Sequence, residues 1–454
     1  MTIVASLRPL AGSGYNGCMS RLLPKLRTDI DVVPSPDSEQ PGLLIRDPYR
    51  YTPAVLLIPP VLIQALAHLD GEKSYLDLQA DLSRRTGQLV DSDVVENFVG
   101  SLQQQGFLET EEFYRLRESC HAKFRDSAER VAIHAGVSYP AQPEELRKEL
   151  GGYLQAAPGK ADPSPSGIIG LAAPHVSPSG GWRSYASAYA RMGPELAEKT
   201  FVLLGTSHYG PPEKFGLTRK PFITPLGTLE VDTNLVDEIA GRAGDAVCME
   251  DYCHSIEHSI EFQCIFIQHA IQHALQQSPD HALGSRIRIL PILCGPFRES
   301  LVTGKAPESR ESVERFFQVL GNLAEREGSR LFWVLGIDLA HIGRRYGDSF
   351  AARAGQDRME SVRQKDQERL HRVCAGDREG FFDLVRPEGD ELRWCGYSPL
   401  YTFLKVVPQA RGNVLRYEQW NIDEESVVSF TAMEFLRDGT AAGAGRTGAS
   451  FPKH

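Results

Sequence analysis

Several things are scarce in this chain of 454 residues. It has eight cysteines, spread from Cys18 to Cys395, and no CxxC pair. In a chain this long that excludes a disulfide-stapled scaffold and leaves most of them as buried, reduced thiols. No stretch reaches the roughly 20 continuous apolar residues of a membrane span. The opening MTIVASLRPLAGSGYNG lacks the apolar core of a secretory signal, so the cytosol (a cytoplasmic protein) is expected. Lys and Arg form no long run, and the formal net charge is −10. That argues against binding nucleic acid or an anionic membrane. What is present is ordinary: 41% hydrophobic and 24% charged residues, a soluble globular composition with length for two or three domains.

Residues 1–24 read as an irregular lead-in. From 25 to 120 a compact unit is expected. The extended GLLIRD (42–47) precedes three helical stretches, PPVLIQALAHLD, SYLDLQADLSRRTG and SDVVENFVGSLQQQG, and then a short strand, FLET. Three small helices and a β element suggest a winged-helix module, α+β in class. Residues 25–130 carry 12 Lys+Arg against 18 Asp+Glu, a net of −6, the wrong sign for a DNA reader. The stretch resembles PqqD-like winged-helix modules, which implies binding of a partner peptide or protein. A structural or dimerising appendage is an equal reading.

A Pro/Ser/Gly connector, QAAPGKADPSPS (155–166), follows, and a tail from about 438 is expected to be disordered. Between them lie short apolar runs bounded by turn residues: GIIGLAAPH, FVLLGTSH, RIRILPILCG and LFWVLGIDLAH. Amphipathic helical stretches such as EHSIEFQCIFIQHAIQHAL separate them. That alternation predicts an α/β domain with a mixed, largely parallel sheet flanked by helices. VLRYEQW and SVVSFTAMEF are late strands that close or edge it.

Three of the apolar runs end in polar residues: Pro174-His175, Ser207-His208 and Asp338-Leu-Ala-His341. In open α/β sheets ligands bind beyond the carboxyl ends of the strands. One strand-end His is more often structural, but three in one domain point to a shared crevice. Cys395 precedes an apolar, helical-looking run, LYTFLKVV, and a thiol at a helix N-terminus favours the metal-binding thiolate. The other reading is a packed Cys beside Trp394. CHSIEHSIEFQ (253–263) doubles a four-residue phrase. On a helix His254, Glu257, His258 and Glu261 would share one face, and His254-x-x-Glu257-His258 matches the inverted zinc-protease pattern. His269 and His273 have no carboxylate or Cys at useful spacing and read as surface residues.

Five of these motifs, in order, resemble the Memo family, also called AmmeMemoRadiSam system protein B. They are AAPH (172–175), LLGTSH (203–208), EHSIE (257–261), GIDLAH (336–341) and CGYSP (395–399). The resemblance covers about 132–437, including IHAGVSYPAQPEELRKELGGYL. It implies a class III extradiol dioxygenase-like fold and His175, His208 and Cys395 as metal ligands. Asp338, His341 and His258 would line the same cavity. His341 would move protons, Asp338 orienting it. The family match covers only the second HSIE copy, so Glu257 and Glu261 are expected to orient His258 or bond backbone. Ser207 is placed in support beside His208. Val176-Ser177 follows Pro-His where many relatives have Ala-Gly or Ile-Asp.

Two imidazoles and a thiolate leave one side of an ion open, as in non-haem Fe(II) oxygenases. Iron so held would bind dioxygen and a chelating substrate side by side. The donors suit copper or zinc as well, and Fe(II) ranks first because of the fold the resemblance implies. The expected function is a metal-dependent oxidoreductase acting on a small-molecule or peptide-linked substrate. Radical-SAM and AMMECR-type proteins are the implied partners. The alternatives are a non-catalytic metal-binding scaffold and a zinc hydrolase.

Overall fold

The computed structural model describes residues 2–4, 21–35, 37, 39–156, 167–277 and 286–438. Most of the lead-in, the connector from 157 and the tail from 439 lie outside the described residues. The chain divides into two compact units, Met1–Asp126 and Ser127–His454.

The first unit has three antiparallel strands, Asp31–Pro34, Leu43–Arg46 and Val55–Ile58, with Thr2–Val4 parallel to the last. Helices follow at the three expected places. Pro60 opens the first, its missing N–H harmless at that position. Ser74 and Asp77 form a reciprocal capping box on Tyr75–Thr86, which Gly87 ends in the left-handed region. Ser92–Gln104 is the third. Leu78, Leu82, Val95, Phe98 and Leu102 pack with Ile45 and Leu56 into a core of their own.

Two expectations fail in this unit. FLET makes only an isolated bridge, Leu26 to Leu108. A further helix, Glu111–Asp126, follows it. That helix buries only Phe113 and Phe124, too sparse an apolar stripe to announce itself among so many charges.

The second unit is built on a twelve-stranded sheet. Its centre is five parallel strands: β1 (Ile168–Ala173), β2 (Thr200–Thr206), β3 (Gly227–Val231), β4 (Arg288–Cys294) and β5 (Leu331–Gly336), in the spatial order β1-β5-β2-β4-β3. Every residue of β2 and β5 is buried, the mark of a sheet covered on both faces. β6 (Asp338–Gly343), β7 (Ala410–Asp423) and β8 (Ser426–Arg437) extend it in antiparallel fashion, β8 lying against β6, β7 and β1.

The register positions the site. Gly336 lies opposite Ala173 on one side and Gly205 on the other, and Thr206 lies opposite Cys294. The carboxyl ends of β1, β5, β2 and β4 are therefore level, and the chain leaves all of them at one rim.

Candidate metal centre

His175 stands two residues beyond β1 and His208 two residues beyond β2. Cys395 comes from the loop before α1 (Tyr397–Val406). Their ligating atoms all lie within 4.8 Å of one another. Cys395 Sγ is 3.2 Å from His175 Nε2.

Both rings are fixed by their other nitrogen. His175 Nδ1 lies 3.0 Å from the Gly336 carbonyl, which can only accept, so this nitrogen carries the proton. His208 Nδ1 is 2.9 Å from Glu257 Oε2, and the His208 N–H donates to Glu257 Oε1. Each ring therefore presents Nε2 to the sulfur. This arrangement of imidazoles backed by a carbonyl and a carboxylate is how ligands are oriented for a cation.

The segment that supplies Glu257 is seated by small residues. Any Cβ on Gly336 or Gly205 would strike Ser259 or Ile260, so two glycines let this turn lie on the strand ends. Ser259 Oγ donates to the Thr206 carbonyl at 2.8 Å, and Gln263 Nε2 to that of Pro174 at 2.9 Å. The Cys395 loop is seated likewise. Gly396 N donates to the Asp338 carbonyl at 3.0 Å, and Thr206 Oγ1 to the Cys395 carbonyl at 3.0 Å.

His258 stacks on His208 at 5.1 Å and meets His175 edge-on at 5.2 Å. Asp338 Oδ1 accepts from the His175 N–H at 2.9 Å, and its Oδ2 is 3.5 Å from His175 Nε2. His341 Nδ1 lies 2.9 Å from the Leu339 carbonyl. Asp338 and His341 do not simply end a strand as expected. The chain turns at Ile337 and begins β6, which carries both residues, with a register shift between them.

Electrostatically the cluster is polarised. Burial alone would lower the His175 pKa, but Asp338 and the Cys395 sulfur reverse this and hold it at about 9. His208 is likewise held well above its ordinary value, Glu257 overriding desolvation. Burial would raise the Cys395 thiol, yet His175 and His341 bring it well below the usual range. An anionic sulfur that draws protons onto two imidazoles would draw a cation into the same place. The residues present fit a metal ion.

The doubled HSIE phrase is not one helix face. Tyr252–Ser255 is a short 3₁₀ turn, and α2 (Glu261–Gln276) begins only at the second glutamate. His254 is buried, lies 3.0 Å from the Gly216 carbonyl and is pushed by burial to a pKa of about 3. It is a neutral hydrogen-bond donor, and the zinc-protease pattern has no first ligand. Glu257 orients His208 rather than His258 alone. Glu261 accepts from the N–H groups of Ile133 and His134 at 3.2 and 2.9 Å and also pairs with Arg130. Ser207 donates its N–H to the Cys294 carbonyl, and its hydroxyl packs against Gly210.

α2 is not amphipathic either, since every residue from Glu261 to Ile271 is buried. His269, expected at the surface, lies in that run, and burial lowers its pKa to about 4. Two participants escaped sequence reasoning. His134 packs edge-on against His258 at 5.7 Å. Asp366, fully buried, accepts from Trp394 Nε1 at 2.7 Å, Tyr417 Oη at 2.8 Å and Ser429 Oγ at 2.6 Å. Ser429 Oγ in turn accepts from the Ala340 N–H at 2.9 Å. One carboxylate thus ties the Cys395 loop to β6.

A family model described as Memo-like protein matches residues 130–434. The chain is 24% identical to a MEMO1 family protein of Aquifex aeolicus over 416 residues, covering 91% of this chain and 99% of that protein. An alignment of that length must run into the N-terminal unit. A MEMO1 family protein of Thermus thermophilus is 24% identical over 75% of this chain and 92% of its own length. One of Methanosarcina acetivorans is 25% identical over 62% of this chain and 86% of its own.

Proposed function

This chain belongs to the Memo-like protein family, and we propose that it is a metal-dependent oxidoreductase whose ion is held by His175, His208 and Cys395. The observation that carries this is the convergence of two oriented imidazoles and one thiol, ligating atoms within 4.8 Å, at the carboxyl rim of a parallel sheet. Fe(II) held by these residues would supply a redox centre for dioxygen chemistry on a substrate.

The chain's own groups would do the rest. Gly336 and Glu257 hold the two rings in the tautomer that ligates. Asp338 fixes the backbone of His175. His341, anchored through Nδ1 by two backbone carbonyls, offers Nε2 to take or return a proton, with the Asp338 carboxylate nearby. His258, stacked on His208, offers a second proton carrier on the exposed side of the cluster. Val176, next to His175, packs with Val428 and Phe430 in a small buried apolar cluster.

We assign the N-terminal unit to recruitment, as a winged-helix, PqqD-like module that binds a partner or a peptide substrate. Radical-SAM and AMMECR-type proteins are the partners we would test first, in the cytoplasm. The test of the central reading is anaerobic purification with elemental analysis, comparing the unsubstituted protein with Cys395→Ser. The variant is expected to lose most of its iron. Equal iron in both removes Cys395 from the ligand set, and zinc in place of iron turns the reading toward a hydrolase.

A further inference from the structure

Two triads of ligating atoms meet at one sulfur. His175, His208 and Cys395 form the first. Asp338, His341 and Cys395 form another, again with all ligating atoms within 4.8 Å. A third group, His208, Glu257 and His258, is consumed internally, because both Glu257 oxygens already accept from His208. The Asp338 triad is not consumed in this way. Asp338 commits Oδ1 to the His175 N–H, while Oδ2 faces the cluster. His341 commits Nδ1 to the Leu339 and Arg393 carbonyls at 2.9 and 3.1 Å, which leaves Nε2 as its ligating nitrogen.

We propose that this rim holds a second divalent cation, bound by Asp338, His341 and Cys395, with the Cys395 thiolate bridging the two ions. The inference rests on the first ion assigned above and alters one part of it. In the doubly loaded protein His341 Nε2 is a ligand, and proton transfer falls to His258. Carboxylate, imidazole and thiolate together suit a borderline divalent ion, and the two anionic groups offset the second charge. Ions in two-metal sites sit about 3.5–4 Å apart, a separation that a shared ligand can span. The two segments that carry the second triad are tied to each other within the chain. Asp366 holds Trp394, next to Cys395, and through Ser429 it holds Ala340, between Asp338 and His341.

The test uses the full-length chain, stripped of metal and titrated with Co²⁺ under anaerobic conditions. Cobalt per chain is measured after desalting, and thiolate coordination by its near-ultraviolet absorption. The unsubstituted protein is expected to retain two cobalt ions. His341→Ala is expected to retain one and keep the thiolate absorption. Asp338→Asn, which preserves the acceptor for the His175 N–H, is expected to do the same and covers the case in which the first variant misfolds. One cobalt in the unsubstituted protein overturns the second ion and leaves the first standing. None overturns both. Two ions retained in both variants place the second ion elsewhere and overturn the assignment.

Discussion

Glu257 and Glu261 stand four residues apart in a doubled phrase, are both fully buried, and do opposite things. Glu261 is met on every side: by Arg130, by two backbone N–H groups, and by Tyr139 Oη at 2.5 Å. Arg130 also donates to the carbonyls of His254 and Glu257, at 2.8 and 2.9 Å. The charge and both oxygens of Glu261 are met within the chain. Glu257 backs His208, and beyond that ring the balance fails. Imidazole nitrogens and a sulfur turn their electron pairs toward one another, and only protons or a cation can reconcile them. Burial of charge marks both places. What separates them is whether the lone pairs find partners inside the chain.

The contrast is broken most directly at Arg130. Arg130→Met should leave Glu261 buried without its counter-charge and destabilise the protein by about 3–5 kcal/mol, read from urea unfolding. Metal content under native conditions should stay unchanged. A loss below about 1 kcal/mol would mean that the ion pair is not what holds residues 130–139 to α2. Glu257→Gln should invert the pattern. It removes the carboxylate behind His208, and metal affinity should fall about 10–100-fold in competition with a chelator, with a smaller loss of stability than at Arg130. Unchanged affinity would move Glu257 to the structural side of the comparison.

The sequence made the strand ends legible because parallel strands are apolar throughout, so the first polar residue after each one stands out. His175 and His208 were placed that way, and Cys395 by the helix that follows it. In the doubled HSIE a helical spacing of polar residues looks like a face whether or not the helix exists, and only the family motif singles out the second copy. Here a 3₁₀ turn and a break at Ser259 and Ile260 send the four side chains in different directions. Asp338 and His341 read as one strand end because the apolar run carries on through Ile337, and Gly336, the one mark of the turn, still belongs to β5. Arg130 and Asp366 could not be found at all. Their partners lie more than a hundred residues away in one case and as far as 63 residues away in the other, and no local pattern records such a pairing.

His254, in the first copy of the phrase, sharpens the comparison from a third side, since it is buried, titratable and neither paired with a charge nor aimed at the sulfur. Its folded pKa of about 3 lies below the ordinary value of 6.5, so the folded chain binds fewer protons than the unfolded chain once the pH drops beneath about 6.5. Its contribution is therefore fully present above that pH and is lost as the solution is acidified, by about 1.4 kcal/mol at about pH 5.5. His254→Gln keeps an N–H for the Gly216 carbonyl and cannot titrate. The stability difference between the two proteins should then shift by that amount, in favour of the variant, between neutral pH and about pH 5.5. Asp366, raised by burial to about 6, acts in the opposite sense, gaining stability as the pH falls, but it is common to both proteins and drops out of the difference. A difference that stays flat with pH would mean that His254 takes up a proton in the fold. The first copy of the phrase would then carry an acceptor for that charge, as the second copy does for His208.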